Sequence, residues 1–132
     1  MSRISARLLF WAPRVLSIAF IAFLSLFSLD VFDGRLGFWQ TMLALTMHLI
    51  PSFVLIAALI AAWKWEWIGA VLYAAAGLLY VAWVETMSRP VPPEVRLIWI
   101  LTIAGPAFLI AGLFLANWLK HDQLRARSYG AD

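Results

Sequence analysis

The stretch TMHLIPS, residues 46–52, places an imidazole and a helix-breaking proline inside a long apolar run. At helical spacing, Thr41 and Ser52 fall on the same face as His48. Ionisable side chains within membrane-spanning segments often mark ion or ligand pathways. His48, Ser52, Thr41 and the more distant Thr102 therefore form a candidate intramembrane polar site.

Two interpretations of His48 remain open. In the first, the imidazole carries a proton or binds a ligand. In the second, it is a neutral side chain that stabilises the protein through a hydrogen bond to another helix, because no carboxylate lies within the apolar runs to pair with a charged ring. Its candidate partners in that interpretation are Ser17, Ser25 and Thr102.

Two prolines within apolar runs free backbone carbonyl groups. Pro51 cannot donate to the carbonyl of Met47, and Pro106 cannot donate to that of Thr102. These carbonyls need another partner at membrane depth, and the Thr102 hydroxyl is well placed for its own. Two kinked helices with local polar groups would then surround a small hydrated pocket.

Other polar residues favour local roles. Asp30 and Asp33 flank a loop that also carries Arg35, an arrangement more typical of a solvated turn than of a cation site. Glu85 and Arg89, four residues apart, predict a local ion pair. We expect His121, within the charged stretch KHDQLRAR, to face solvent.

Catalytic signatures are missing from the sequence. It has no GxSxG, HExxH, P-loop or dinucleotide-binding motif and no cysteine. The two histidines, His48 and His121, are predicted on separate elements at different depths, so they cannot bracket a haem. We therefore predict a non-enzymatic protein without a metal or cofactor.

The composition is that of a membrane protein, with 64% apolar and 13% charged residues among 132. Four apolar runs are long enough to cross a hydrocarbon core of roughly 30 Å. The sequence predicts an all-α, single-domain bundle of four transmembrane helices over the whole chain, residues 1–132, with a surface segment at 1–9 and a cytoplasmic tail at 120–132. The predicted helices are residues 10–29, 38–63, 67–84 and 97–119.

Tryptophans support these boundaries, because indole rings favour the interface between lipid and water. All eight lie near predicted helix ends. The turn WKWEW, residues 63–67, leaves almost no loop between the second and third helices, which predicts that they are antiparallel neighbours. The eight are Trp11, Trp39, Trp63, Trp65, Trp67, Trp83, Trp99 and Trp118.

The distribution of basic residues predicts the orientation. With both termini on one side, that side carries seven Lys and Arg residues and the other carries three, which predicts cytoplasmic termini. The net charge of +3 is spread over chain ends and turns, so we expect anionic lipid headgroups as partners and no nucleic acid.

Small residues predict where helices approach closely. One set lies on the third helix and another on the fourth. These two faces form a close contact within the chain, or one of them faces another subunit. The sets are Ala70, Ala74 and Gly77, and Gly105, Gly112 and Ala116.

Several motifs carry a resemblance to a known family. They are APR at residues 12–14, LDVF at 29–32, HLIP at 48–51, the WKWEW turn, and the GP pair Gly105 and Pro106. The chain resembles a family of small bacterial four-helix membrane proteins classed as a domain of unknown function. The resemblance implies a protein of the bacterial inner membrane and supplies no activity.

The function that these observations favour is an accessory or structural role, through helix contacts with a second copy or with a larger membrane complex. The alternative is an oligomeric small transporter or channel component with His48 in a proton or small-solute pathway. The alternative requires an oligomer, because four helices leave little room for an aqueous path of their own.

Overall fold

The computed structural model describes residues 2–128 of the chain, and helices make up most of them. Four of these helices, α1 to α4, are long and apolar enough to cross a membrane. No strand occurs in the described residues. The predicted all-helical chain with four such helices is therefore confirmed. The elements are α1 (Arg3–Leu26), a 3-10 turn (Phe27–Phe32), α2 (Phe38–Lys64), α3 (Glu66–Glu85), α4 (Pro93–Leu119) and α5 (His121–Ser128).

Helix α1 starts earlier than predicted, at Arg3. The Ser2 hydroxyl caps it by accepting a hydrogen bond from the backbone N–H of Ser5 at 3.1 Å. The helix continues through Pro13, so most of the segment predicted at the membrane surface belongs to the first long helix. Its location at the surface stays a prediction, and residue 1 lies outside the described part of the chain.

Serine hydroxyls accompany the end of α1. Ser25 donates to the carbonyl of Ile21 at 2.8 Å, and Ser28 donates to the carbonyl of Ser25 at 2.6 Å. The chain tightens there into the 3-10 turn and then reverses at Gly34, whose φ of +79° suits glycine. The start of α2 is therefore brought back beside the end of α1.

The connections at the two ends of α3 differ in length. Trp65 alone joins α2 to α3, so these helices must be neighbours. Residues 86–92 join α3 to α4 and include two prolines, Pro90 and Pro92. Across this loop, Arg96 lies 3.3 Å from the Glu85 carboxylate. Glu85 thus pairs with Arg96 instead of the predicted Arg89.

Helix α3 packs closely against its neighbours at two glycines. A Cβ on Gly69 would lie 2.5 Å from the Cβ of Ala62 on α2 and 3.0 Å from the Phe114 ring on α4. A Cβ on Gly77 would lie 2.7 Å from the Phe108 ring. Aromatic rings of α4 therefore fill the space that these glycines leave.

The small residues predicted on α3 lie on its packed side. Gly77 is buried, while Ala70 and Ala74 are half-buried against the core. This core consists mostly of apolar side chains from α1 to α4. Its buried members are Phe20, Ile21, Leu55, Ala58, Leu59, Ala62, Tyr73, Ala107, Ile110, Ala111 and Phe114.

The small residues predicted on α4 are placed differently. A Cβ added to Gly105 or to Gly112 would meet no atom within 4 Å, and Ala116 is half-buried. Within the chain, the contact between the two small-residue faces does not form, because the contact side of α4 carries the bulky Phe108 and Phe114. The other alternative, that the α4 face meets another subunit, stays a prediction.

The C-terminal segment is a separate helix and not the continuation of α4. Helix α4 ends at Leu119, and α5 follows Lys120. Leu124 on α5 is buried, as is Ala6 on α1, where the two helices pack together. Helix α5 therefore lies beside the start of α1. Residues 129–132 of the predicted tail lie outside the described residues.

Candidate functional site

Polar side chains gather at two places in the bundle. The first is the buried polar cluster, which we define as Arg14, Glu66, Asn117 and His121. The second is the His48 cleft, a cavity lined in part by His48 and by residues from α1 to α4. Only the second contains residues that were predicted as a site from the sequence.

Arg14 is the centre of the buried polar cluster and is fully buried. Its Nη2 lies 3.4 Å from Glu66 Oε1 and also donates to the carbonyl of Trp63 at 3.3 Å. Its Nη1 donates to the carbonyl of Phe10 and to Asn117 Oδ1. The Phe10 ring also lies against the guanidinium, with its centroid 3.8 Å from Cζ.

Glu66 connects the arginine to the last helix. It is the first residue of α3, where the helix dipole favours a negative charge. Its Oε2 lies 3.1 Å from His121 Nδ1, a contact in which the ring nitrogen donates to the carboxylate. The side chain of Glu66 is almost fully buried, whereas that of His121 is about one third exposed, at 34%.

Asn117 fastens α4 to α1. Its Nδ2 donates to the carbonyl of Leu9 at 2.7 Å and to that of Leu113 in its own helix at 2.8 Å. Its Oδ1 accepts from Arg14 at 3.4 Å. The amide thus bonds to the backbone on one side and to the guanidinium on the other.

The polar contacts of the cluster join several helices at one end of the bundle. The carboxylate of Glu66 balances the charge of Arg14, and the polar contacts join α1, the turn from α2 to α3, α4 and α5. Breaking such a buried pair is costly because the remaining charge has no water to solvate it. The cluster therefore fixes how these elements meet at one end of the bundle.

Sequence reasoning missed this cluster. It used Arg14 only in the count of basic residues and in the APR motif, expected His121 to face solvent, and did not consider Asn117. The His121 side chain is 34% exposed, and its ring also bonds to Glu66, a contact that was not predicted. An arginine embedded in the apolar stretch LLFWAPRVLSIAF was the signal that could have indicated a buried charge in need of a partner.

His48 lies on an exposed face of α2, and its Nδ1 bonds to the carbonyl of Ala44 in the same helix at 2.8 Å. This contact contradicts the second interpretation, in which the ring bonds to another helix. Ser25, one of its candidate partners, instead lies 3.0 Å from the hydroxyl of Ser52. That contact between Ser25 and Ser52 joins α1 to α2.

The residues predicted with His48 do not form one site. Thr102 lines the same cavity as His48, whereas Ser52 and Thr41 are not among the residues that line it. Ser52 is buried and bonds to α1, and Thr41 is half-buried near the start of α2. The structure therefore brings His48 and Thr102 to one cavity and separates them from the other two.

The His48 cleft has a volume of about 850 Å³. Beside it lies a smaller cavity of about 250 Å³, and Asp30 and His48 line both. The smaller cavity also includes Asp33 and Arg35, which pair with each other at 3.5 Å in the loop after α1. Within the described residues, no group of three or more His, Asp and Glu side chains is placed to hold a metal ion.

Fold and sites together define an all-helical protein with four helices suited to cross a membrane and the buried polar cluster at one end of the bundle. The chain belongs to the family described as Domain of unknown function (DUF7670), whose model matches residues 1–127. This membership confirms the predicted resemblance to a family of unknown function. Comparisons with curated proteins and with solved structures found no match.

Proposed function

We propose that this chain is a non-enzymatic accessory protein of the bacterial inner membrane that acts through helix contacts with a second copy or with a larger membrane complex. The observation that carries the proposal is that the polar groups of the buried polar cluster are bonded within the chain. Arg14, Glu66 and Asn117 bond to one another or to backbone carbonyls of neighbouring elements, so these groups hold the bundle together. The function then lies on the outer faces of a stable scaffold.

The outer face of α4 supports this role. Gly105 and Gly112 have open space beside them, and small residues let a second helix approach closely within a membrane. In lipid, association depends on such close packing and not on hydrophobicity. This face is the place where we expect a partner helix to bind.

The proposed orientation has antiparallel neighbouring helices and both termini in the cytoplasm. The imbalance of seven against three basic residues supports it. Arg3 and Arg7 are exposed near the start of α1, where they can attract anionic lipid headgroups. Nucleic acid is not a proposed partner.

Affinity purification tests the accessory role. A tagged chain purified from native membranes in mild detergent should retain a discrete membrane protein or a second copy of itself. Gly112→Leu should lose that partner while it keeps the wild-type unfolding temperature, because the Cβ of the added side chain has open space beside it in the described chain. A chain that purifies alone, with and without cross-linking in the membrane, contradicts the proposal.

The alternative function is an oligomeric small transporter or channel component with His48 in its pathway. The observation that favours it is the position of His48 and Thr102 on one cavity of about 850 Å³. A mass measurement in nanodiscs separates this alternative from the first, because a strict monomer lacks the second set of helices that a pathway requires.

A further inference from the structure

The His48 cleft is large enough for a small organic ligand, since ligand cavities in proteins have volumes of about 300–1,000 Å³. Its own volume is about 850 Å³. Four aromatic side chains of the described residues line it. Phe27 lies in the turn after α1, and Trp83 and Trp99 lie near the ends of α3 and α4 that face the Pro-rich loop. The four are Phe27, Tyr80, Trp83 and Trp99.

The charge of the cleft is negative. Among the described residues, Asp30 is the one acidic residue that lines it, and no lysine or arginine does so. Among the side chains that the structure describes, which end at Leu124, the Asp30 carboxylate has no ion-pair partner, whereas the neighbouring Asp33 pairs with Arg35 at 3.5 Å. The cleft therefore combines a carboxylate that has no cation partner in the described chain with several aromatic rings.

This combination selects for organic cations. Aromatic faces attract ammonium groups, and a nearby carboxylate adds Coulomb attraction. His48 Nδ1 bonds to the carbonyl of Ala44. Nε2 is therefore the ring atom that can accept a hydrogen bond from a ligand N–H group. The other lining residues include Met47, Met87 and Ile98, which suit an apolar tail.

We propose that the His48 cleft binds an amphiphile with an organic ammonium head group, with Asp30 as its counter-ion and the aromatic side chains around the head and the adjoining tail. An amine-bearing lipid and a free amphiphilic cation share this chemistry. The site is separate from the proposed accessory role, because its residues lie towards the opposite end of the bundle from the buried polar cluster and do not include Gly112.

The test uses labelled hexyltrimethylammonium, whose charge is permanent, and the full-length chain in phosphatidylglycerol nanodiscs. Equilibrium dialysis with subtraction of empty discs should show saturable binding. Asp30→Asn should weaken binding by about two- to fivefold, the size expected for one exposed charge pair. Asp33→Asn, the matched control, should retain the wild-type affinity.

Three results would overturn the proposal: no saturable binding above that of empty discs, equal affinity of the wild type and Asp30→Asn, or equal binding of uncharged 1-hexanol. Asp30 and Asp33 are both exposed, so neither substitution removes buried packing. The unfolding temperatures of the two variants should match the wild type. A change in Asp30→Asn affinity with unaltered unfolding therefore reports on the ligand.

A second disc composition identifies the source of the ammonium group. In phosphatidylcholine nanodiscs, a lipid head group that occupies the cleft competes with the probe and reduces the effect of Asp30→Asn. If the natural ligand is a free cation, the effect stays the same as in phosphatidylglycerol. The general attraction between the probe and an anionic surface is the same for the wild type and the variant in one kind of disc. It therefore cancels in the ratio of their affinities.

Discussion

Glu66→Gln tests the buried polar cluster most sharply, because it keeps the shape of the side chain and removes its charge. The carboxylate faces Arg14 Nη2 at 3.4 Å. In the variant, a guanidinium that is 0% exposed loses this negative partner and cannot gain water in exchange. We expect a large loss of stability from a change of one functional group.

The structure sets the magnitude of that loss. Removing one member of a buried ion pair costs about 3–5 kcal/mol. Arg14 keeps its neutral acceptors, the carbonyls of Phe10 and Trp63 and the amide of Asn117, and glutamine itself can still accept a hydrogen bond. We therefore expect a value at the lower end of that range, about 3 kcal/mol.

Reversible unfolding in mixed micelles, followed by circular dichroism, measures this difference. Glu85→Gln is the matched control, because Glu85 pairs with Arg96 but the two side chains are 49% and 36% exposed. An exposed pair contributes less than about 1 kcal/mol. Equal losses in the two glutamine variants would refute the reasoning.

A double substitution adds a second check. Arg14→Met combined with Glu66→Met removes both charges and fills the space with apolar atoms. Such replacements are often neutral or stabilising. The double variant should therefore be more stable than Glu66→Gln, although it changes more atoms.

Three further predictions follow from the packing and the charges. Gly69→Ala should cost about 3 kcal/mol, because its Cβ would lie 2.5 Å from the Cβ of Ala62, whereas Gly112→Ala should be tolerated; equal unfolding temperatures would contradict this. His48→Leu should change the free energy of unfolding by less than about 0.5 kcal/mol, because its Nδ1 bonds within its own helix; a larger loss would indicate a contact between helices. Reporter fusions should place the C-terminus in the cytoplasm and residues 89–94 in the periplasm, and a cytoplasmic linker would refute the orientation.

The four long helices could be predicted because each apolar run is sufficient by itself to indicate a spanning segment. Their ends were harder to predict. The hydroxyls of Ser25 and Ser28 bond to backbone carbonyls where α1 changes to the 3-10 turn, and Lys120 separates α5 from α4. Hydropathy indicates neither of these helix ends.

The buried polar cluster could not be predicted from local patterns. Arg14 and Glu66 are 52 residues apart, and Asn117 is 103 residues from Arg14. Their meeting depends on how α1, α3 and α4 pack together. For the same reason, the residue type identified His48 as a candidate, but one of its two interpretations gave the ring a partner on another helix instead of the Ala44 carbonyl.

Photo-crosslinking in native membranes tests the proposed accessory role most directly. A photoactivatable residue is introduced at Gly112, on the open face of α4, and for comparison at Ile60, which is 69% exposed on α2. We predict a discrete protein adduct, with a second copy or another membrane protein, from position 112 and lipid adducts alone from position 60. Lipid adducts alone from both positions would contradict the proposed role.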